Sequence, residues 1–266
     1  MFFLKVATYL KINLIRKLCG AHRKKFSIAM SFTEIVRKFS TRNEVYAYMH
    51  HYLQHLAPKE ICEHRHYFDK NMRGFGEDAL HAMWWTIFQE FKPGLVLEIG
   101  VYRGQVCSLW ALIAKLNGFE CEVHGVSPFS PAGDHVSTYL ADLDYLEDVL
   151  ASHKIFDLPA PHFIRAYSTD QSAVDYIKSR KWSLIYIDGS HDHDVVLADY
   201  LLCKDALAAG GILVMDDSSL YAKFDPPVFS FAGHPGPSRV VKERAMHEMH
   251  FMGGVGHNNV FRVKGD

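Results

Sequence analysis

The chain reads as an α/β protein with a Rossmann-like, doubly wound sheet, and three features carry that expectation. From residue 93 onward, short β-rich runs alternate with segments of helical periodicity. A strand–glycine–helix unit opens the series at Leu95–Leu116. Two later apolar runs, Trp182–Ile187 and Ile212–Met215, stop abruptly at Asp188 and at Asp216–Asp217. Strands ending at one edge in glycine and acid are what open α/β sheets use to build a ligand crevice. The predicted sheet is seven-stranded and mostly parallel, with a C-terminal antiparallel hairpin and an N-terminal helical cap.

The opening unit starts after Pro93-Gly94, with Val96, Leu97 and Ile99 as the buried strand. Val106, Cys107, Leu109, Trp110, Ile113 and Leu116 recur at helical spacing after Gly104, and Gly118 ends the helix. Between them runs Glu98-x-Gly100-x-x-x-Gly104. A dinucleotide site wants a glycine where the pyrophosphate meets the backbone, and this chain has Tyr102 in that place. A helix N-terminus still offers N–H groups to a ligand above the strand. The spacing fits a cofactor without phosphate, and a purely structural βα turn is its competing explanation.

Composition narrows the classes. At 266 residues and 48% hydrophobic, the chain can bury a large core. Its net charge of −1 offers no global field for nucleic acid, and none is expected as a partner. Five scattered cysteines without a C-x-x-C pair point away from a disulfide framework and toward a reducing, cytoplasmic setting.

Residues 1–31 stand apart. Lys5, Lys11, Arg16, Lys17, Arg23, Lys24 and Lys25 alternate with Phe3, Val6, Leu10, Leu14 and Leu18. Charges interrupt each apolar run before the roughly 20 residues that a membrane span requires. Such a basic amphipathic segment can lie on an anionic membrane, pack on its own domain or join two copies into a homo-oligomer. Residues 32–92 read as a helical cap, with Ser31 or Thr33 and then Thr41 as N-caps, and a last helix over Glu77–Phe91. Asn71–Gly76 is an irregular, glycine-bearing connection.

Residues 93–266 hold the sheet. Cys121–Val126 is the second strand, and Ser127 follows where nucleotide-binding folds often place a ribose-holding acid. Either the Ser127 hydroxyl or another group such as Asp134 would serve instead. A helix is expected over Tyr139–Leu150, a strand over His162–Ala166, and Ser168 or Asp170 as the next cap. The third strand's end, at Ser168, would face an adenine edge. Asp188, Asp216 and Asp217 would then be neighbours, since adjacent strands lie about 4.8 Å apart. Like charges so close favour a divalent cation such as Mg²⁺, with aspartates serving as helix caps or loop anchors as the alternative. Phe231–Arg239 is a stiff Pro/Gly loop that brings His234 and Arg239 near the crevice, and His250–Val263 is the hairpin, turning at Gly256-His257-Asn258.

Glu98-x-Gly100-x-x-x-Gly104, Asp188-Gly189-Ser190-His191, Asp199-Tyr200 and Leu207-x-x-Gly210-Gly211-x-Leu213-Val214-x-Asp216-Asp217 together resemble one branch of class I S-adenosylmethionine (SAM)-dependent methyltransferases. That branch holds the macrocin O-methyltransferase and cephalosporin hydroxylase-like proteins. The resemblance covers about residues 93–220. It implies SAM as cofactor at Glu98, Gly100 and Gly104, and Mg²⁺ at Asp188, Asp216 and Asp217; Tyr102, Ser127, Ser168 and Asp188 complete the expected cofactor site. It also implies a small hydroxylated acceptor, a sugar or a phenol. Some relatives carry a basic aspartate two residues after Asp188; Ser190 stands there in this chain. Beside Asp188, His191 is the better catalytic candidate, since a free imidazole's pKa near 6.5 suits proton acceptance, with a supporting or loop-structuring role as its alternative. A nicotinamide-dependent enzyme and a catalytically silent scaffold are the rival functions.

Overall fold

In the computed structural model, the described residues are 26–70, 73–130, 140 and 142–264. The basic segment 1–25, Asn71, Met72 and Asp134 lie outside them. Among the described residues four helices come first: α1 (Phe32–Lys38), α2 (Arg42–His55), α3 (Lys59–Asp69) and α4 (Asp78–Phe91). Ser31 and Thr41 cap α1 and α2 through complete capping boxes with Glu34 and Glu44. No described helix is long and apolar enough to cross a membrane.

The sheet follows: β1 (Leu95–Ile99), α5 (Gln105–Asn117), β2 (Glu122–Ser127), α6 (Tyr145–Ile155), β3 (His162–Arg165), α7 (Gln171–Lys178), β4 (Trp182–Ile187), α8 (His193–Ala206) and β5 (Leu207–Met215). After a long loop come α9 (Pro235–Val240), a π turn at Val241–Ala245, and the strands β6 (His250–Val255) and β7 (Asn258–Arg262). The strand order is β3-β2-β1-β4-β5-β7-β6. Only the contacts of β7 with β5 and β6 are antiparallel.

Two expectations shift. The helix predicted over 139–150 is displaced to Tyr145–Ile155, where the Asp144 carboxylate accepts from the Glu147 N–H and starts it. Gly210-Gly211, expected to close α8, lie inside β5, at a register irregularity between β4 and β5.

Strand alternation assigns the two faces. Val96, Leu184, Tyr186, Ile212 and Val214 bury against α1–α5, while Leu97, Ile99, Ile185, Ile187, Leu213 and Met215 bury against α7–α9. The period of two therefore points Glu98 toward the cap. Pairing of Ile187 with Met215 sets the next residues, Asp188 and Asp216, side by side beyond the strand ends. The cap helices and that sheet face share one continuous core.

Candidate active site

A cavity of about 550 Å³ opens at the carboxyl ends of β1, β4 and β5. The α4 side chains Leu80, His81 and Trp84 form the cap-facing wall. Glu98, Gly100, Tyr102, Ser127, Ser168, Asp188, His191, Asp216 and Asp217 all line it. Gly104 does not appear among the lining residues; it starts α5 with φ +76°, and a Cβ there would press on Val149 of α6.

Gly100 has a second reason to be glycine besides its φ of +93°. A Cβ there would sit 2.0 Å from the carbonyl oxygen of Asp188. Its N–H donates to the Val126 carbonyl (2.9 Å), and the Asp188 N–H donates to the Ile99 carbonyl (2.8 Å). The first turn and the β4 end are therefore locked together by backbone.

The hydroxyl side of the cavity is satisfied from within. Ser127 donates its hydroxyl to the Val101 carbonyl at 2.8 Å. Ser168 hydrogen-bonds buried Asp199 on α8, whose pKa rises to about 6 because burial outweighs that bond. Tyr102 packs at a tilt against Phe75 and Tyr145, with ring centroids 5.1 and 5.4 Å away. The glycine connection reaches the same rim, where the Gly76 N–H donates to Gln105 Oε1 (3.0 Å).

The acidic side is electrostatically loaded. Burial raises the Glu98 carboxyl to about 8, and Cys107 donates its thiol to it at 2.7 Å. Burial, then the charge of Asp216 and a hydrogen bond shared with it, pushes Asp188 well above the usual carboxylate range. Asp216 is also raised, first by burial and then by Asp217, while His257 opposes the shift. The two side-by-side acids behave as a proton-sharing pair. Tyr186 hydrogen-bonds Asp216 from below.

Asp217 sits apart from that pair, in a left-handed conformation with φ +49°. His191 Nε2 donates to its Oδ2 at 2.8 Å, and His234 Nε2 lies 3.7 Å from the same oxygen. On the other side His257 Nε2 lies 3.3 Å from Asp216 Oδ1 and 3.9 Å from Asp217 Oδ1. Among the described residues, two sets place three donor atoms within 4.8 Å of one another: His191–Asp217–His234 and Asp216–Asp217–His257. Asp188 belongs to neither. An uncompensated group of carboxylates with imidazole donors matches what a divalent cation requires.

Of the residues in the Pro/Gly loop, Phe231 and His234 reach the cavity. Arg239 instead pairs with Glu243 on its own helix, at 2.8 Å. His257 was legible in the sequence only as a hairpin-turn residue, and Tyr186 only as a core strand position. Their signal was positional: the first sits at the tip of the hairpin that pairs with β5, the second two residues before Asp188.

The geometry of one cavity above β1, β4 and β5 agrees with the comparisons to known proteins. Residues 97–218 match the family described as methyltransferase domain. Residues 97–218 thus have the sequence pattern of a methyltransferase domain. The sheet and flanking helices have the class I fold of solved methyltransferases. No curated protein sequence matches the chain. The SAH-bound methyltransferase PaMTH1 of Podospora anserina superposes with a TM-score of 0.53 at 14% identity, over 78% of this chain and 89% of that one. TomG, an O-methyltransferase of tomaymycin synthesis from Streptomyces achromogenes in complex with SAM, gives 0.53 at 12%, over 85% and 100%. The Bacillus cereus O-methyltransferase in complex with SAH gives 0.51 at 13%, over 84% and 100%. The matched stretch runs from within β1 to just past β5 and holds all three acids.

Proposed function

We propose that the protein transfers the methyl group of SAM to a hydroxyl oxygen of a small acceptor. One observation carries this reading. Within the methyltransferase domain, the neutral, hydroxyl-lined end of the cavity at Gly100, Tyr102, Ser127 and Ser168 adjoins a charged end at Asp188, His191, Asp216 and Asp217. The first suits an uncharged nucleoside and the second a proton to be removed.

The methyl of SAM is already activated as a sulfonium, so the protein's task is to position and to deprotonate. Asp217 orients His191 through Nε2, and the other ring nitrogen accepts the acceptor's hydroxyl proton. Asp188, whose carboxyl is raised by burial and by Asp216, binds the acceptor hydroxyl. Glu98 contacts the cofactor as a neutral carboxyl group. Asp216 and Asp217 with a histidine supply donors for a divalent cation, which when bound would lower the pKa of an acceptor hydroxyl. Retention of all these groups favours an enzyme over a silent scaffold.

Calorimetric titration of S-adenosylhomocysteine into the purified chain tests the reading, with micromolar binding expected. Gly189 lines the cavity, and a Cβ there meets only ordinary contacts, the nearest at 3.6 Å from Ile99. Gly189→Leu should therefore abolish binding while leaving the melting temperature unchanged. Wild-type protein that fails to bind would sink the proposal.

A further inference from the structure

The hairpin that closes the sheet brings groups to the acidic end that the β4 and β5 motifs do not contain. His257, at the β6–β7 turn, is only 4% exposed. Its Nε2 is aimed between Asp216 and Asp217, at 3.3 and 3.9 Å. Its other nitrogen, Nδ1, is buried without a hydrogen-bond partner and faces Glu77 Oε1 at 3.8 Å. Glu77 immediately precedes α4 and is itself held by the hydroxyl of Tyr46 on α2. The neighbouring Asn258, fully buried, donates Nδ2 to Asp216 Oδ1 at 2.5 Å and leaves its own Oδ1 unpartnered. The hairpin turn is anchored from the cap as well. Arg42 of α2 donates to the carbonyl of Gly256 (3.1 Å) and to Asn259 Oδ1 (2.5 Å).

A histidine that ligates a metal through one nitrogen ordinarily gives the other N–H to a carboxylate, which sets the tautomer and the ring plane. Tyr46, Glu77, His257 and the Asp216–Asp217 pair stand in that order, from the cap to the strand ends. The geometry points to a mixed nitrogen–oxygen cation site formed by His257 Nε2, Asp216 and Asp217, with Glu77 of the cap as the residue that orients His257. This deepens the cation reading given above. It moves the cation away from an all-aspartate set including Asp188 and leaves His191, on the opposite oxygen of Asp217, to handle the proton.

Donor type sets the preferred ion. Mg²⁺ takes oxygen ligands and retains its waters, whereas an imidazole nitrogen favours first-row transition ions such as Mn²⁺, Co²⁺ or Zn²⁺. The site is therefore selective for a borderline divalent cation over Mg²⁺. Because Glu77 and Tyr46 belong to the helical cap, occupancy of the site also ties the cap to the sheet.

The test uses the full chain after treatment with chelator. Calorimetric titration with Co²⁺, Mn²⁺ and Mg²⁺ should give tighter binding of Co²⁺ and Mn²⁺ than of Mg²⁺, by at least about 10-fold. His257→Gln should weaken Co²⁺ binding by about 10- to 100-fold, and Glu77→Gln by about 10-fold, with S-adenosylhomocysteine affinity unchanged in both. Pulsed EPR of the Mn²⁺-loaded protein supplies a readout on the unmodified chain. A directly bound imidazole nitrogen should be present in the wild type and in His191→Gln. If Mg²⁺ binds as tightly as Co²⁺, if no cation binds, or if the nitrogen signal is missing from the wild type, the assignment fails. A signal that persists in His257→Gln and vanishes in His191→Gln would transfer the site to the His191–Asp217–His234 set and likewise overturn it. Loss of cofactor binding in the wild type would instead count against methyl transfer and leave the cation result standing.

Discussion

The two ends of the cavity are built on opposite electrostatic plans. At the β1–β2–β3 end, polar groups are matched inside the protein: Ser127 donates to Val101, Ser168 meets Asp199, and Arg103 pairs with Asp148 at 2.6 Å. At the β4–β5–β7 end, Asp188, Asp216 and Asp217 converge with histidines, Asn258 and Tyr186 facing them, and Glu98 on β1 adds a fourth carboxyl to the same cavity. A folded protein tolerates such a concentration of like charge by raising carboxyl pKa values, and Glu98, Asp188 and Asp216 show that response. The matched end is suited to holding a neutral ligand rigidly. The unmatched end stores a free-energy cost that a proton, a cation or a reacting hydroxyl can relieve.

The sharpest way to break this comparison is at His191. His191→Gln should lower kcat by about 10²- to 10⁴-fold, the usual contribution of a positioned base. S-adenosylhomocysteine affinity should stay at the wild-type value, because the change is confined to the charged end. Equal losses in turnover and in cofactor affinity would merge the two ends into one functional unit.

Glu98 gives the next largest effect, on stability. Its folded pKa of about 8 lies above the unfolded value of 4.5, so the native state holds a proton that the unfolded chain releases between those limits. The stabilisation is complete below pH 4.5 and declines as pH rises through 8. At about 1.4 kcal/mol per pH unit, an upper bound of roughly 5 kcal/mol is at stake. Glu98→Gln should flatten the denaturant-derived stability profile between pH 5 and pH 8. A variant whose profile keeps the wild-type slope would assign the dependence to the other acids.

The smallest expected effect lies at the matched end. Ser127→Ala removes a hydroxyl already committed to Val101, so cofactor affinity should fall by less than about 10-fold and stability by about 1 kcal/mol. A loss above 100-fold in calorimetry would make Ser127 a true substitute for the ribose-holding acid.

Much of this was written locally. The β–Gly–α unit, the apolar runs stopping at Asp188 and Asp216, and the closing hairpin follow from alternation, glycine position and turn chemistry, all short-range. The seven strands, their mixed direction and the cap helices were legible for that reason. The start of α6 was missed because the Asp144 cap, rather than the apolar pattern, decides it. Tertiary structure alone decided which face each acid would meet. Asp216 and Asp217 lie 41 and 40 positions upstream of His257, beyond the reach of any local pattern, yet His257 meets both through β5–β7 pairing. Glu77 lies still farther away in sequence and reaches His257 only because the cap packs across the sheet. The pairing of Asp188 with Asp216 depends on a one-residue register that side-chain type does not specify. Sequence determined which chemical groups the strand ends would carry; packing of the cap and hairpin decided which of them share a proton, a histidine or a cation, because those couplings depend on distances of a few ångströms between segments remote in the chain.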